Sequence, residues 1–239
     1  MKTCGVLTKL AIAVTLPISF CSSCAAFSTS TTKSSKFSFL DSLDRTDGFN
    51  YATKERSHRL KDMISTNPTQ NPGSITSFTP IAPGTWKIIY APHISALSGL
   101  LGGQFDPVVY DMRSDGVIMS HAKYDFPILG QGWLSVSGTY GTQDDTKVCR
   151  VEFDKAWIII QDNDRTNRTS STDPIPVESF DEAPETWYKS LVNGLAGFGF
   201  RKEFAVFPVS YLDEDTIVFD FELLGTRICA RKTSSQPFT

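Results

Sequence analysis

Three histidines, five cysteines and one run of acids are the side chains of this sequence best equipped for chemistry. His58 falls in a polar stretch, His93 follows Pro92, and His121 stands two residues before Lys123 in a run with strand character. No pair of them has metal-ligand spacing, and no acid is placed to orient two of them, so the sequence predicts no metal site and no catalytic residue. Cys4, Cys21 and Cys24 lie in the first 26 residues; Cys149 and Cys229 remain, too few for a disulfide framework or a Cys-only zinc site, and read as buried thiols. Nothing marks Cys149 as an ionised nucleophile. Asp213-Glu214-Asp215 lacks the EF-hand pattern and reads as solvated turn charge. Neither the phosphate-cradling Gly-rich loop with its Lys nor the Gly-x-Ser-x-Gly elbow is present, and Gly99–Gly103 has no phosphate-binding context, so no cofactor is expected. An enzyme would need a polar group of shifted pKa inside an apolar cavity. Tyr110, Tyr140 and His121 are the candidates, and each reads equally well as a wall residue.

These side chains must be held by a sheet. Residues 51–66 read as a short polar helix with Leu60, Met63 and Ile64 on one side, stopped at Asn67-Pro68 because a residue before proline is pushed out of helical angles. A loop then runs to Gly84. From Trp86 the period becomes two. Trp86, Ile88 and Tyr90 share one face, and Val108, Tyr110 and Met112 repeat the pattern. Ser114-Asp115-Gly116 turns the chain into Val117–Phe126. Leu134, Val136, Gly138 and Tyr140 alternate next; Val151, Phe153, Trp157 and Ile159 extend a long strand; Ile217, Phe219, Phe221 and Leu223 alternate near the end, before Gly225 turns into Arg227–Arg231. Seven or eight short strands joined by tight turns predict a mainly β chain closed as an antiparallel barrel or sandwich. Residues 94–103 suggest a short helix or lid, and residues 184–200 a second short helix inserted before the C-terminal strands. Between them, residues 162–183 form a polar exposed loop carrying Asn167-Arg168-Thr169, a glycosylation acceptor in form.

The N-terminus reads as an address. Residues 1–26 run from Lys2 and Lys9 through an apolar stretch, Leu10 to Phe20, to small residues ending in Ala26, the order of a secretory signal peptide. Residues 27–46 begin with Phe27, are rich in Ser and Thr, and hold no acid before Asp41, which is transit-peptide composition. A signal peptide joined to such a stretch at Ala-Phe resembles the two-part plastid address of diatoms and related algae; secretion is the alternative, and Asn167 would suit it. Residues 47–239 are then a single domain. The whole chain has 23 Lys and Arg against 26 Asp and Glu, and losing residues 1–26 leaves 21 against 26, about −5. A mildly acidic chain without a basic block gives no reason to expect nucleic acid as a partner.

A helix ending in Asn67-Pro68-Thr69, a variable loop and Gly84-Thr85-Trp86 leading into a strand with Tyr90 resembles the plastid lipid-associated protein (fibrillin) family. Tyr211-Leu212-Asp213-Glu214-Asp215 with a closing Arg231 resembles that family's C-terminal block, although Thr216-Ile217-Val218 stands where an Arg often follows, so Arg227 and Arg231 both remain candidates for its role. Fibrillins are in turn similar to lipocalins. The resemblance implies a lipocalin-like barrel that binds or carries a hydrophobic small molecule (a lipid, carotenoid or prenylquinone) at thylakoids or plastoglobules, by peripheral association and without catalysis. From the residues themselves, Gly84 permits a sharp entry and Trp86 plugs one end of an eight-strand barrel, with Arg227 or Arg231 stacked on the indole. Trp86, Ile88, Tyr90, Tyr110, Met112, Val136, Tyr140, Phe153, Phe219 and Phe221 are expected to line an apolar interior. A lipocalin-fold enzyme acting on a lipid or pigment, and a scaffold with a filled barrel, are the alternatives.

Overall fold

The structure, a computed structural model, describes residues 35–43, 53–127, 130–142, 148–160, 177, 179–185 and 206–233. The leader 1–26, Asn167, and the helix expected over 184–200 (beyond Glu185) lie outside the described residues. Eight strands follow the chain in order: β1 (Gly84–Tyr90), β2 (Gln104–Met112), β3 (Val117–Phe126), β4 (Gly130–Thr142), β5 (Val148–Ile160), β6 (Val206–Leu212), β7 (Thr216–Phe221) and β8 (Thr226–Lys232). Each pairs antiparallel with the next, and β8 pairs with β1, closing the barrel. Of the barrel and the sandwich left open by the two-residue period, the chain forms the barrel, mainly β and lipocalin-like as the resemblance implied.

Among the described residues four short helices decorate it. Residues 35–41 form α1. α2 is Lys54–Ser65, started by the Thr53 side chain accepting from Arg56 N, and it buries Leu60 and Met63 against the outer wall. The loop expected before Gly84 contains one more helical turn, α3 (Ile75–Phe78), which delivers Phe78 to the core. α4, Pro92–Leu101, occupies the predicted lid position, with Pro92 at its first turn and Gly102 (φ 69°) ending it in the left-handed region.

Two apolar clusters lie on opposite sides of the wall. The interior one contains Trp86, Ile88, Met112, Ile118, Val151, Phe219, Ile228 and Ala230. The outer one joins Leu60 and Met63 of α2 and Phe39 of α1 to Tyr90, Tyr211, Val218 and Cys229. Which side a residue joins is decided by bulges as much as by alternation, because one extra residue reverses every side chain beyond it. β1 shifts register between Ile88 and Tyr90, and β5 carries an extra residue opposite Ser137 and Gly138. Tyr90 therefore packs outside, against α1 and α2, instead of lining the interior. In β5, Val151 and Phe153 point inward; past the bulge Ala156, opposite Val136, takes the inner face and Trp157, opposite Ser135, the outer.

Candidate functional site

The barrel is sealed at the end where β1 begins. Trp86 is fully buried, and its indole Nε1 donates to Ala82 O at 2.7 Å, just before the strand. Phe78 from α3 lies edge-on to Tyr140 (6.3 Å) and Phe219 (6.4 Å), while the Tyr140 hydroxyl donates to Arg113 O at 2.6 Å, so Tyr140 belongs to this seal. The cation over the indole is Lys232, with Nζ 5.2 Å from the ring centroid and donating to Ile81 O at 2.8 Å. Burial lowers its pKa. Neither arginine reaches the plug. On β8, Ile228 and Ala230 point inward, and Lys232 follows at the same two-residue spacing, opposite Trp86. Arg227 and Arg231 alternate with them and face outward, Arg227 pairing with Asp220 at 2.7 Å and Arg231 with Asp215 at 3.5 Å. Gly84 completes the seal. Its φ is +130°, and a Cβ there would lie 2.7 Å from Lys232 Cε, so glycine both makes the entry turn and leaves space for the lysine.

The Asn-Pro-Thr step after α2 straps the seal to the sheet. The Asn67 side-chain oxygen accepts from Thr69 N (3.1 Å) and Leu212 N (3.3 Å), its amide nitrogen donates to Ser210 O (3.2 Å), and the Thr69 hydroxyl donates to Leu212 O (2.6 Å). The proline rule explains why the helix stops there, but not that both polar side chains satisfy β6. Asp213-Glu214-Asp215 is likewise more than solvated charge. Asp213 accepts from the Tyr211 hydroxyl (2.7 Å) and Lys36 (2.7 Å), and Asp215 also pairs with Lys36. Burial opposes ionisation of Asp215, but hydrogen bonds, first of all from Lys36, outweigh it and hold its carboxyl at about 2.

Away from the seal the described strands β5 and β6 diverge. β5 pairs with β6 only at Val148–Arg150, so among the described residues Val151–Ile160 has no strand partner on that edge. Beside this opening lies an apolar cavity of about 30 Å³, lined by Tyr110, Met112, Ile118, Val151, Phe153, Phe207, Phe219 and Ile228. The cross-strand rows put Tyr110, Ser120, Val136 and Ala156 on one inner level, and Val108, Ala122, Leu134 and Ile158 on the next. Of these apolar groups Tyr110, Ala122, Leu134, Val136, Phe153 and Ile158 remain only half-buried, as do Phe207 and Phe221. Phe221 stacks on Phe207 (centroids 5.5 Å apart) and meets the His93 ring at 5.3 Å, under α4. The interior residues expected from sequence therefore separate. Trp86, Ile88 and Tyr140 build the seal, Met112 and Phe219 join it to the cavity, and Tyr110, Val136, Phe153 and Phe221 form the half-buried inner face. Sequence reading missed Phe207 and Ile228; Ile228 was within reach, two residues before Ala230, whereas Phe207 precedes Pro208 in a strand too irregular for a period.

The groups with acid–base potential do not assemble. His58 is exposed on α2, 3.5 Å from Asp62, and His93 starts α4. His121 sits on the outer face of β3, its Nδ1 2.9 Å from the Ser135 hydroxyl directly across the hairpin. Ser135 and His121 are 0% and 2% exposed, so this pair is closed to a substrate. Burial first, then the nearby Arg113 charge, lowers the His121 pKa to about 4, keeping the ring neutral. Burial pushes the Tyr110 hydroxyl up to about 12. Cys149 and Cys229 are free and buried on opposite sides of the wall, both thiols raised by burial, Cys149 to about 12. No protein-family model matches the chain, and no curated protein does.

Proposed function

We propose that this chain is a non-enzymatic binder of an elongated hydrophobic molecule, a plastid lipid-associated protein of fibrillin type. One observation carries the reading: apolar side chains on the inner face stay half-buried beside an edge of β5 that no described strand covers, while the opposite end is sealed by Trp86. Apolar surface left against water in a concave site is covered favourably by hydrocarbon, at about 0.8 kcal/mol for each methylene buried. A cavity of about 30 Å³ takes the tip of a chain or the edge of a ring. The remaining length lies along the half-buried inner face of Val136 and, one level on, Leu134 and Ala122. Leu100 on α4, Leu224 in the β7–β8 turn and Ile160 at the end of β5 are exposed, and all three stand at the end opposite the seal. That rim suits peripheral contact with a thylakoid or a lipid droplet. The enzyme alternative is disfavoured because His121 faces away from the interior and Tyr110 holds its proton far above neutral pH. The two-part leader directs the chain to a plastid.

Organic extraction of protein purified from a plastid-bearing host should yield a stoichiometric lipid or pigment. In titrations with a fluorescent polyene fatty acid, Val136→Glu should weaken binding at least tenfold, while Lys87→Glu on the exposed face of β1 should leave it unchanged. An empty extract together with no saturable polyene binding would leave the filled scaffold as the better reading.

A further inference from the structure

We propose that residues 35–43 remain part of the mature protein, so that the peptidase removing the leader cuts on the N-terminal side of Ser35. The inference is independent of the ligand. By composition these residues belong to the transit-like stretch 27–46, yet they are built into the barrel's outer wall. Phe39 is fully buried in the outer cluster and meets Tyr90 edge-on, with centroids 5.6 Å apart and planes at 82°. Lys36, with its side chain 14% exposed, pairs with Asp213 at 2.7 Å and with Asp215. Two arginines of α2 hold the backbone on the other side: Arg59 Nη1 donates to Ser38 O (2.9 Å) and Arg56 Nε to Ser42 O (3.0 Å). The partners come from β1, the β6–β7 turn and α2, three places that meet only in the folded chain.

A disposable targeting segment leaves nothing behind when it goes. This one would uncover Tyr90, which is 3% exposed, and Tyr211, which is 0% exposed, and would leave Asp213 and Asp215 without their lysine. Proteolysis needs an extended, accessible backbone, and cuts inside a docked, hydrogen-bonded segment are disfavoured. The stretch that a receptor and a peptidase can read is thereby shortened to Phe27–Ser34, with its run of Ser and Thr and Lys33. Phe37 of α1 is turned to solvent, 57% exposed, so an aromatic in this helix is not buried merely for being aromatic.

The test has three arms. Residues 1–34 fused to a fluorescent protein should enter the diatom plastid as well as residues 1–45, and the full chain recovered from that plastid should begin at or before Ser35 by mass spectrometry. Chains made to begin at residues 27 and 35 should melt together, and one beginning at residue 47 about 10 °C lower, the shift expected for losing a buried Phe from a domain of this size. Should the shortest chain fail to fold, hydrogen exchange in the chain beginning at residue 27 decides, with the amides of residues 39–43 expected to be protected. A mature N-terminus beyond Ser35, unchanged melting on removing residues 35–46, or free exchange across this segment would each overturn the proposal.

Discussion

The two halves of the barrel are built from the same kinds of residue and end in opposite states. At the β1 entrance, Trp86, Phe78, Ile217 and Leu212 are almost wholly buried, and the polar atoms among them have partners: the indole on Ala82 O, the Lys232 ammonium on Ile81 O, the Tyr140 hydroxyl on Arg113 O. Beside β5, Phe153, Phe207, Val136 and Leu134 are no less apolar yet stay half-buried, where among the described residues the neighbouring strand pairs over three positions. Hydrophobicity alone does not seal a barrel. The closed end has a covering segment, 67–83, tied to β6 through Asn67 and Thr69, and a full complement of hydrogen bonds beneath it. Apolar surface uncovered in this way is what a ligand can use.

Substitutions at the two halves should separate stability from binding. Trp86→Ala should cost about 3–5 kcal/mol, read as a lower denaturation midpoint, since a large fully buried side chain is lost and Ala82 O is left without its donor. Phe153→Ala should cost far less stability and weaken polyene binding several-fold; equal stability losses at the two sites would erase the contrast. Behind the open half, His121 supplies the next largest effect. Its folded pKa, about 4, lies below the value near 6.5 it has when unfolded, so the buried neutral ring is no burden above pH 6.5. As pH falls from 6.5 to 4 the unfolded chain takes up a proton that the folded chain refuses, and stability drops by about 3 kcal/mol. His121→Gln should flatten that limb of the curve. A further fall below pH 4 should follow as Asp215 is protonated, its folded carboxyl at about 2 lying below the unfolded value, so that its contribution is complete above pH 4 and fades towards 2. Lys232→Met should cost about 1 kcal/mol, for the cation over the indole and its bond to Ile81 O. Arg231→Ala should cost under about 0.5 kcal/mol, its ion pair being exposed. A larger loss at Arg231 than at Lys232 would return the plug's cation to the arginine expected from sequence.

Much of this was legible beforehand. The two-residue period located every strand but β6, Gly84 and Trp86 marked the sealed end, Asn67-Pro68 ended α2, and residues 94–103 were readable as a helix. The differences have physical causes. Tyr90 was assigned to the interior because alternation from Trp86 puts it there, and the bulge at Ile88–Tyr90 sends it outside. Trp157 was drawn into line with Phe153 for the same reason. Arg227 and Arg231 were preferred as partners of the indole for their type, although Lys232 has the right parity with Ile228 and Ala230. Asp213 and Asp215 looked like solvated charge because Lys36, their partner, lies nearly 180 residues away in the chain.

By itself the sequence determined the class of fold, since side-chain alternation and turn residues act between near neighbours and need no knowledge of the whole. Only the tertiary structure decided which face each residue took after a bulge, which cation capped Trp86, where the wall parted, and that α1 belongs to the outer wall. Those are matters of register and of contact between distant segments. A pattern of period two is blind to an extra residue that leaves the composition of the strand unchanged.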